Sequence, residues 1–202
     1  MRSEAPVTKG ERTRHLVRDT AYALILEQGY AATSMRQIAE KANLALGSIY
    51  NHFPSKEAIF EAIILEYHPY HRIIPLLAST PGDSLETFIR NAAKRVVDDL
   101  QNSPEFLNLI LIEFIEFKGK HAPFLFGTIF PQLPIIAGRL GRFQGEARDI
   151  PGPILIRAFL TFFFAYFFTQ IALAPGLPEQ FQTNSFEGFV EIFLYGILKP
   201  DA

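Results

Sequence analysis

The stretch Thr33–Lys56, TSMRQIAEKANLALGSIYNHFPSK, decides how the chain is read. Ser34 with Gln37 three residues on makes a capping-box pattern: the serine hydroxyl accepts from a free helix amide and the glutamine side chain reaches back. Ile38, Ala39 and Ala42 then set an apolar stripe at helical spacing. Asn43 tolerates the left-handed backbone that ends a helix or makes a turn. A second short helix over Leu46–Asn51 turns Ile49 and Phe53 inward and leaves Ser48, Tyr50, Asn51 and His52 available for contacts. Gly47 near its start lets the backbone come close to a phosphate. Pro54 stops that helix and Ser55 caps the next. Two such helices around a tight polar break form a helix-turn-helix, whose second helix lies in the major groove of DNA. Two short amphipathic helices packed for structural reasons alone share much of this pattern.

The full spacing, T-S-x-x-x-I-A-x-x-A-x-x-x-x-G-x-I-Y-x-H-F-x-S-K-E, resembles the DNA-binding domain of the TetR family of transcriptional repressors, with Gly47, Tyr50, His52, Phe53 and Lys56 at family positions over Arg12–Tyr67. The resemblance implies an all-α chain. Residues 1–55 would form a three-helix DNA-binding domain, with the helix-turn-helix proper at 34–53, and residues 56–202 a helical domain for effector binding and dimerisation. It also implies roles. Thr33 and Ser34 would touch phosphate at the start of the first motif helix, Tyr50 and His52 from the recognition helix, and Lys56 from the start of the fourth helix. Such contacts fix register and carry no base information. Base reading falls to Leu46, Ser48 and Asn51. The partners implied are a palindromic duplex operator, a second copy of the chain, and a small-molecule effector. The chain departs from many relatives at Leu44-Ala45-Leu46, which is apolar, and its recognition helix has no arginine to grip guanine. Leu46 either meets a thymine methyl or packs inward.

Composition narrows the class. The 202 residues allow one or two domains with a sizeable core. With no cysteine there is neither disulfide nor thiolate metal site, and a cytoplasmic setting suffices. MRSEAPVTKGERTRH lacks the apolar run of a secretory signal. The net charge of -2 is unevenly spread: residues 1–56 hold eight basic and five acidic residues, the rest eleven and sixteen. Positive potential thus gathers at the end that would meet phosphate. Arg12, Arg14 and Arg18 also read as ordinary solvated helix charges.

The patterning predicts helix throughout, about nine helices in all. A first helix spans Glu11–Gln28, with Val17, Ala21, Leu24 and Ile25 inward and Gly29 ending it. A fourth runs Lys56–His68 and stops at Pro69. Asp83 or Ser84 caps a fifth, to Gln101, and Ser103-Pro104-Glu105 opens a sixth, to Lys118. The region Ala122–Arg148 is helical but interrupted by Pro131 and Pro134. A long helix covers Ile154–Leu173, Ala174–Asn184 is a loop, and Phe186–Leu198 is last.

Of 20 phenylalanines, only Phe53 and Phe60 precede residue 88. Such a concentration fits an aromatic core or a cavity for an apolar or aromatic effector. The ligand candidates are Glu113, Phe117, His121, Phe130, Phe159, Phe163, Tyr166 and Phe167. Ala158–Ala174 carries no charge over 17 residues, at the lower margin for a bilayer span. A helix buried on two sides accounts for it better. Ala158, Thr161, Ala165, Thr169 and Ala172 make a stripe of small residues for a two-fold contact, joined by Phe189, Ile192, Phe193 and Gly196 of the last helix. No membrane partner is expected. Glu113, Glu116 and His121 could bind a metal or a cation, but a surface pairing of one glutamate with Lys118 or Lys120, the other capping nothing, is favoured, and no metal or other cofactor is expected. No phosphate loop, nucleophile elbow or H-E-x-x-H is present, so the chain has no catalytic residue to propose and reads as a non-enzyme.

Overall fold

The computed structural model describes residues 8–143, 145–172, 176, 178 and 185–198. They form helices α1 Lys9–Gln28, α2 Met35–Lys41, α3 Leu46–Tyr50, α4 Lys56–Tyr67, α5 Tyr70–Ala78 and α6 Leu85–Gln101. There follow α7 Phe106–Phe117, α8 Ala122–Ile129, α9 Leu133–Leu140, α10 Gly152–Ala172 and α11 Ser185–Ile197. Among the described residues there is no strand, only an isolated bridge between Ala147 and Leu198. The all-α expectation holds, and each expected helical region is present. The loop expected at Ala174–Asn184 lies almost wholly outside the described residues.

Two details go beyond the sequence reading. Helix α5 forms where none is expected, around Pro75: burial of Ile73, Ile74 and Leu77 on one face outweighs the amide that proline removes. The expected interruption of Ala122–Arg148 is a short 3-10 turn at Phe130–Gln132 containing Pro131. Pro134 instead sits in the first turn of α9, where a missing amide leaves no bond unmade.

The chain divides into two compact units, Met1–His68 with Asn108–Leu125, and Pro69–Leu107 with Phe126–Ala202. This differs from the expected split at 55/56. The reason is packing: Ile59, Phe60, Ile63 and Ile64 of α4 and Leu109 of α7 share one core with Val17, Ala21, Ile25, Ile38, Ile49 and Phe53.

In the first unit, Thr8 and Glu11 close a capping box at the start of α1, and Gly29 ends the helix at φ 87°, a backbone that an L side chain resists. In the second unit, α6 lies against α5, α10 and α11 and buries Phe88, Ile89, Ala92, Ala93, Val96 and Val97. The turn before it needs a glycine: a Cβ on Gly82 would lie 2.6 Å from the backbone of Phe88. Glu146 caps α6 by accepting from the Leu85 amide at 2.7 Å, and Arg90 pairs with Glu86, Glu187 and Glu191. Part of the aromatic surplus fills this unit's core. Phe163 lies 4.7 Å from Phe159 and 5.6 Å from Phe193 between ring centroids, and Phe167 stacks on Phe106 at 5.5 Å.

Two stretches, Ala122–Phe143 and Gly152–Ile171, are long and apolar enough to cross a membrane by length and composition.

Candidate nucleic-acid interface

The helix pair α2–α3 forms as its sequence dictates. The Gln37 amide donates to Ser34 Oγ at 3.3 Å while Gln37 Oε1 accepts from the Ser34 amide at 2.8 Å, so the capping box is complete. Asn43 takes φ 53° and reverses the chain between α2 and α3. Ile49 and Phe53 are buried in the unit's core, whereas Gly47, Tyr50 and Asn51 are exposed and Ser48 and His52 half-buried. With nothing within 4 Å of the position a Cβ would take, Gly47 faces open space. Tyr50, half exposed despite its ring, has no burial reason for standing where it does.

Two cations hold this surface from behind. Arg14 of α1 donates from Nη1 to the His52 carbonyl at 2.8 Å, and its guanidinium lies 4.2 Å over the Phe53 ring. Lys56, at the start of α4, donates from Nζ to the carbonyls of Tyr30 and Thr33, both at 2.7 Å, with the ammonium 4.1 Å over the Tyr30 ring. Burial lowers the Lys56 ammonium below the ordinary lysine value, with the Glu116 charge working against it. The Tyr30 hydroxyl is pushed up to about 12 by burial and by the charges of Glu57 and Glu116.

These contacts revise three expected phosphate or base contacts. Lys56 is tied to two carbonyls and serves to join α4 to the loop between α1 and α2. Thr33 is buried, its hydroxyl donating to the Gly29 carbonyl at 2.8 Å, so it closes that loop and cannot present itself to a phosphate. Leu46, with Leu44, packs against the core, which favours the inward alternative. Arg18 is committed to Asp19 and Glu66, and Lys41 to Glu27. The surface also offers a residue that sequence reasoning passed over. Arg36, in the first turn of α2, is exposed and makes no hydrogen bond or ion pair among the described residues. Its position two residues after the capping serine was the available signal.

The family model described as bacterial regulatory proteins, tetR family, matches residues 17–63, the span that builds this surface. Residues 17–63 of the chain are therefore similar to the N-terminal DNA-binding domain that defines that family. Among curated relatives, it is 30% identical over 100 residues to the HTH-type transcriptional regulator YuxN of Bacillus subtilis, covering 48% of this chain and 34% of that protein. The match thus spans about a third of YuxN's length. Among solved structures, Salmonella enterica GusR superposes with a TM-score of 0.70 at 23% identity, covering 97% of this chain and 100% of that one. A SmeT–triclosan complex does so with a TM-score of 0.63 at 17% identity over 93% and 92% of the two chains. At these identities the likeness is one of fold.

Outside the head, the eight ligand candidates fall into both units. In the first unit, Glu113 and His121 are buried and bind each other: Glu113 accepts from the His121 amide at 2.7 Å and lies 2.7 Å from Nδ1. Phe117 stacks on Phe60 at 4.9 Å. Lys120 pairs with Glu57 on α4, and that pairing lowers the Glu57 carboxyl and raises the Lys120 ammonium. Neither glutamate makes the expected surface pair with Lys118 or Lys120: Glu113 is held in the buried pair with His121, Lys120 is taken by Glu57, and Glu116 stands exposed. In the second unit, Phe159, Phe163, Tyr166 and Phe167 are buried and Phe130 is exposed.

The stripe on α10 is real as a surface: Ala158, Thr161 and Ala165 are exposed, and Thr169 is half-buried with its hydroxyl donating to the Tyr166 carbonyl. The side chain of Ala172 lies outside the described residues. The α11 half of the expected contact needs correction. Phe193 is only 6% exposed and Phe189 is half-buried, both turned onto Phe162 of α10; of the other two expected residues, Ile192, at 64%, and Gly196 are exposed, as is Tyr195, at 75%.

Proposed function

We propose that the chain is a homodimeric, cytoplasmic transcriptional repressor, held on a palindromic duplex operator and released by an apolar or aromatic small molecule. The observation that carries it is the surface of α2 and α3. Ser34, Arg36, Gly47, Tyr50 and Asn51 are all exposed on a short helix pair whose inner side is held by Arg14 and Lys56. A rigid backing with polar and cationic residues outward is what phosphate positioning and groove reading require. Ser34, Arg36, Tyr50 and His52 take phosphate; Ser48 and Asn51 read bases. The family match over the same residues supports this reading.

Pairing follows from α10 and α11. Ala158, Thr161 and Ala165 leave the α10 backbone open to close approach, and Ile192 and Tyr195 supply apolar area beside them. Coverage by a second copy accounts for the apolar length of Gly152–Ile171 without a membrane. Two heads would then meet successive major grooves about 34–36 Å apart. The triclosan bound to SmeT supports an aromatic effector for this chain. Coupling between effector and operator sites typically amounts to about 1–3 kcal/mol.

The test is a mobility shift with fragments of the source genome at low salt, followed by addition of hydrophobic compounds. A fragment bound specifically and released by one compound is the expected result. No retained fragment at any protein concentration, with the protein folded, ends the proposal.

A further inference from the structure

The C-terminal end of α1 and one face of α7 border a cleft of about 260 Å³, and both walls belong to the first compact unit. None of the proposed DNA-facing side chains lines it. The lining is mostly apolar: Ile25 and Leu26 from α1, and Leu111, Ile112 and Ile115 from α7. Leu111 and Ile115 are exposed, at 44% and 72%, although apolar residues facing each other across a cleft gain by being covered.

Two features set the charge this cleft favours. Glu116 stands in its wall, exposed, with no hydrogen bond or ion pair among the described residues. Helix α1 ends at Gly29, also in the wall, with no basic residue in its last turn, so its carbonyl end adds partial negative charge. Lys56 feels the Glu116 charge, but its ammonium is bonded to the Tyr30 and Thr33 carbonyls and does not line the cleft. An apolar floor beside an unpaired carboxylate disfavours anions and gives neutral compounds only half of what it offers.

We propose that this cleft binds a small organic cation with an apolar body, a tertiary or quaternary ammonium carrying a ring or short alkyl chain. The apolar part would lie on Leu111, Ile112 and Ile115, and the charged part would face Glu116. The cleft is slightly smaller than the usual range of ligand pockets, about 300–1,000 Å³, so the occupant is fragment-sized and binds in roughly the millimolar range. The site is separate from operator and effector binding as proposed above and stands or falls without them.

The experiment titrates the full chain, without DNA, with benzyltrimethylammonium and follows leucine and isoleucine methyl resonances. Saturable shifts are expected at Ile25, Leu26, Leu111, Ile112 and Ile115, and benzyl alcohol, with the same ring and no charge, should bind more weakly. Glu116→Gln should weaken the cation about three- to fivefold, the scale of one exposed charge pair. Leu111→Lys, at a position exposed enough to tolerate it, should abolish binding. The proposal is overturned by shifts that fail to saturate, by equal affinity in the Glu116→Gln protein, or by shifts confined to methyls of the second unit such as Leu155 and Ile156. It is equally overturned if the cleft methyls move with protein concentration alone, since the cleft then belongs to a second copy of the chain.

Discussion

Helix α3 and helix α10 solve opposite problems. α3 has five residues, buries Ile49, and leaves Tyr50 half exposed. α10 has 21 residues, fully buries Phe163 and Phe167, and still leaves Ala158, Thr161 and Ala165 open. The short helix cannot stand alone, because a helix of its length does not repay nucleation. It depends on the core beneath it and on Arg14 and Lys56 behind it. The long helix supplies much of the core of its own unit and has a face to spare. What is exposed therefore means different things: polar exposure on a braced short helix points to a ligand with charge, and small-residue exposure on a long apolar helix points to another helix.

The largest effect should come from the core of the second unit. Phe163→Ala removes a fully buried ring that touches Phe159, Phe162 and Phe193, and should cost about 3–5 kcal/mol in denaturant titrations. Ala165→Trp, two residues further on α10 and on its open face, should leave the unfolding midpoint of the protomer nearly unchanged yet disfavour the dimer in sedimentation. Should Ala165→Trp unfold the protein, or leave it dimeric, the contrast between the two faces of α10 collapses.

The head offers a finer comparison between a cation that braces and one that reaches out. Lys56→Met breaks two charge-assisted bonds and should lower stability by about 1–3 kcal/mol, discounted for its partial exposure, while leaving the salt dependence of operator binding per bound molecule unchanged. Arg36→Ala should do the reverse: stability stays put, affinity falls on every operator, and the slope of log affinity against log salt shrinks by about one. If Lys56→Met reduces that slope and Arg36→Ala does not, the two roles are exchanged.

The same contrast explains what the sequence made legible. The Ser34–Gln37 box, the left-handed Asn43, the Ser55 cap and the inward Ile49 and Phe53 are local, set within four residues, and all are found as read. The contacts of Thr33 and Lys56 are not legible locally, because their partners are the Gly29, Tyr30 and Thr33 carbonyls, which reach them only when the loop between α1 and α2 closes. On α11 the difficulty is phase. Phe189, Ile192, Phe193 and Tyr195 are all apolar or aromatic, so the pattern does not say which pair turns inward. Packing against Phe162 selects Phe189 and Phe193. The Glu113–His121 pair spans the end of α7, and only the left-handed Lys118 and Gly119 at φ 53° and 80° bring its two members together.

The smallest effect tests the seam between α1 and α4, where the head is held by charge at its surface. Tyr67 donates to Asp19 at 2.8 Å, and Arg18 pairs with both Asp19 and Glu66. Burial pushes the Asp19 carboxyl up, but the bonds from Arg18 and Tyr67 outweigh it, and the group titrates below its ordinary value. A carboxyl lowered in the folded state stabilises the fold above its unfolded pKa, and that contribution fades as pH drops through the folded value. Asp19→Asn should therefore cost about 0.3–1 kcal/mol at neutral pH, small because the side chain is half in water. The gap between the two proteins should close below the carboxylate range, where Asp19 is itself neutral. Thermal unfolding of both proteins across pH 3–7 measures it. A gap that persists unchanged in acid would mean that the amide fails for reasons of shape, and that charge at this seam adds nothing to the bracing of α3.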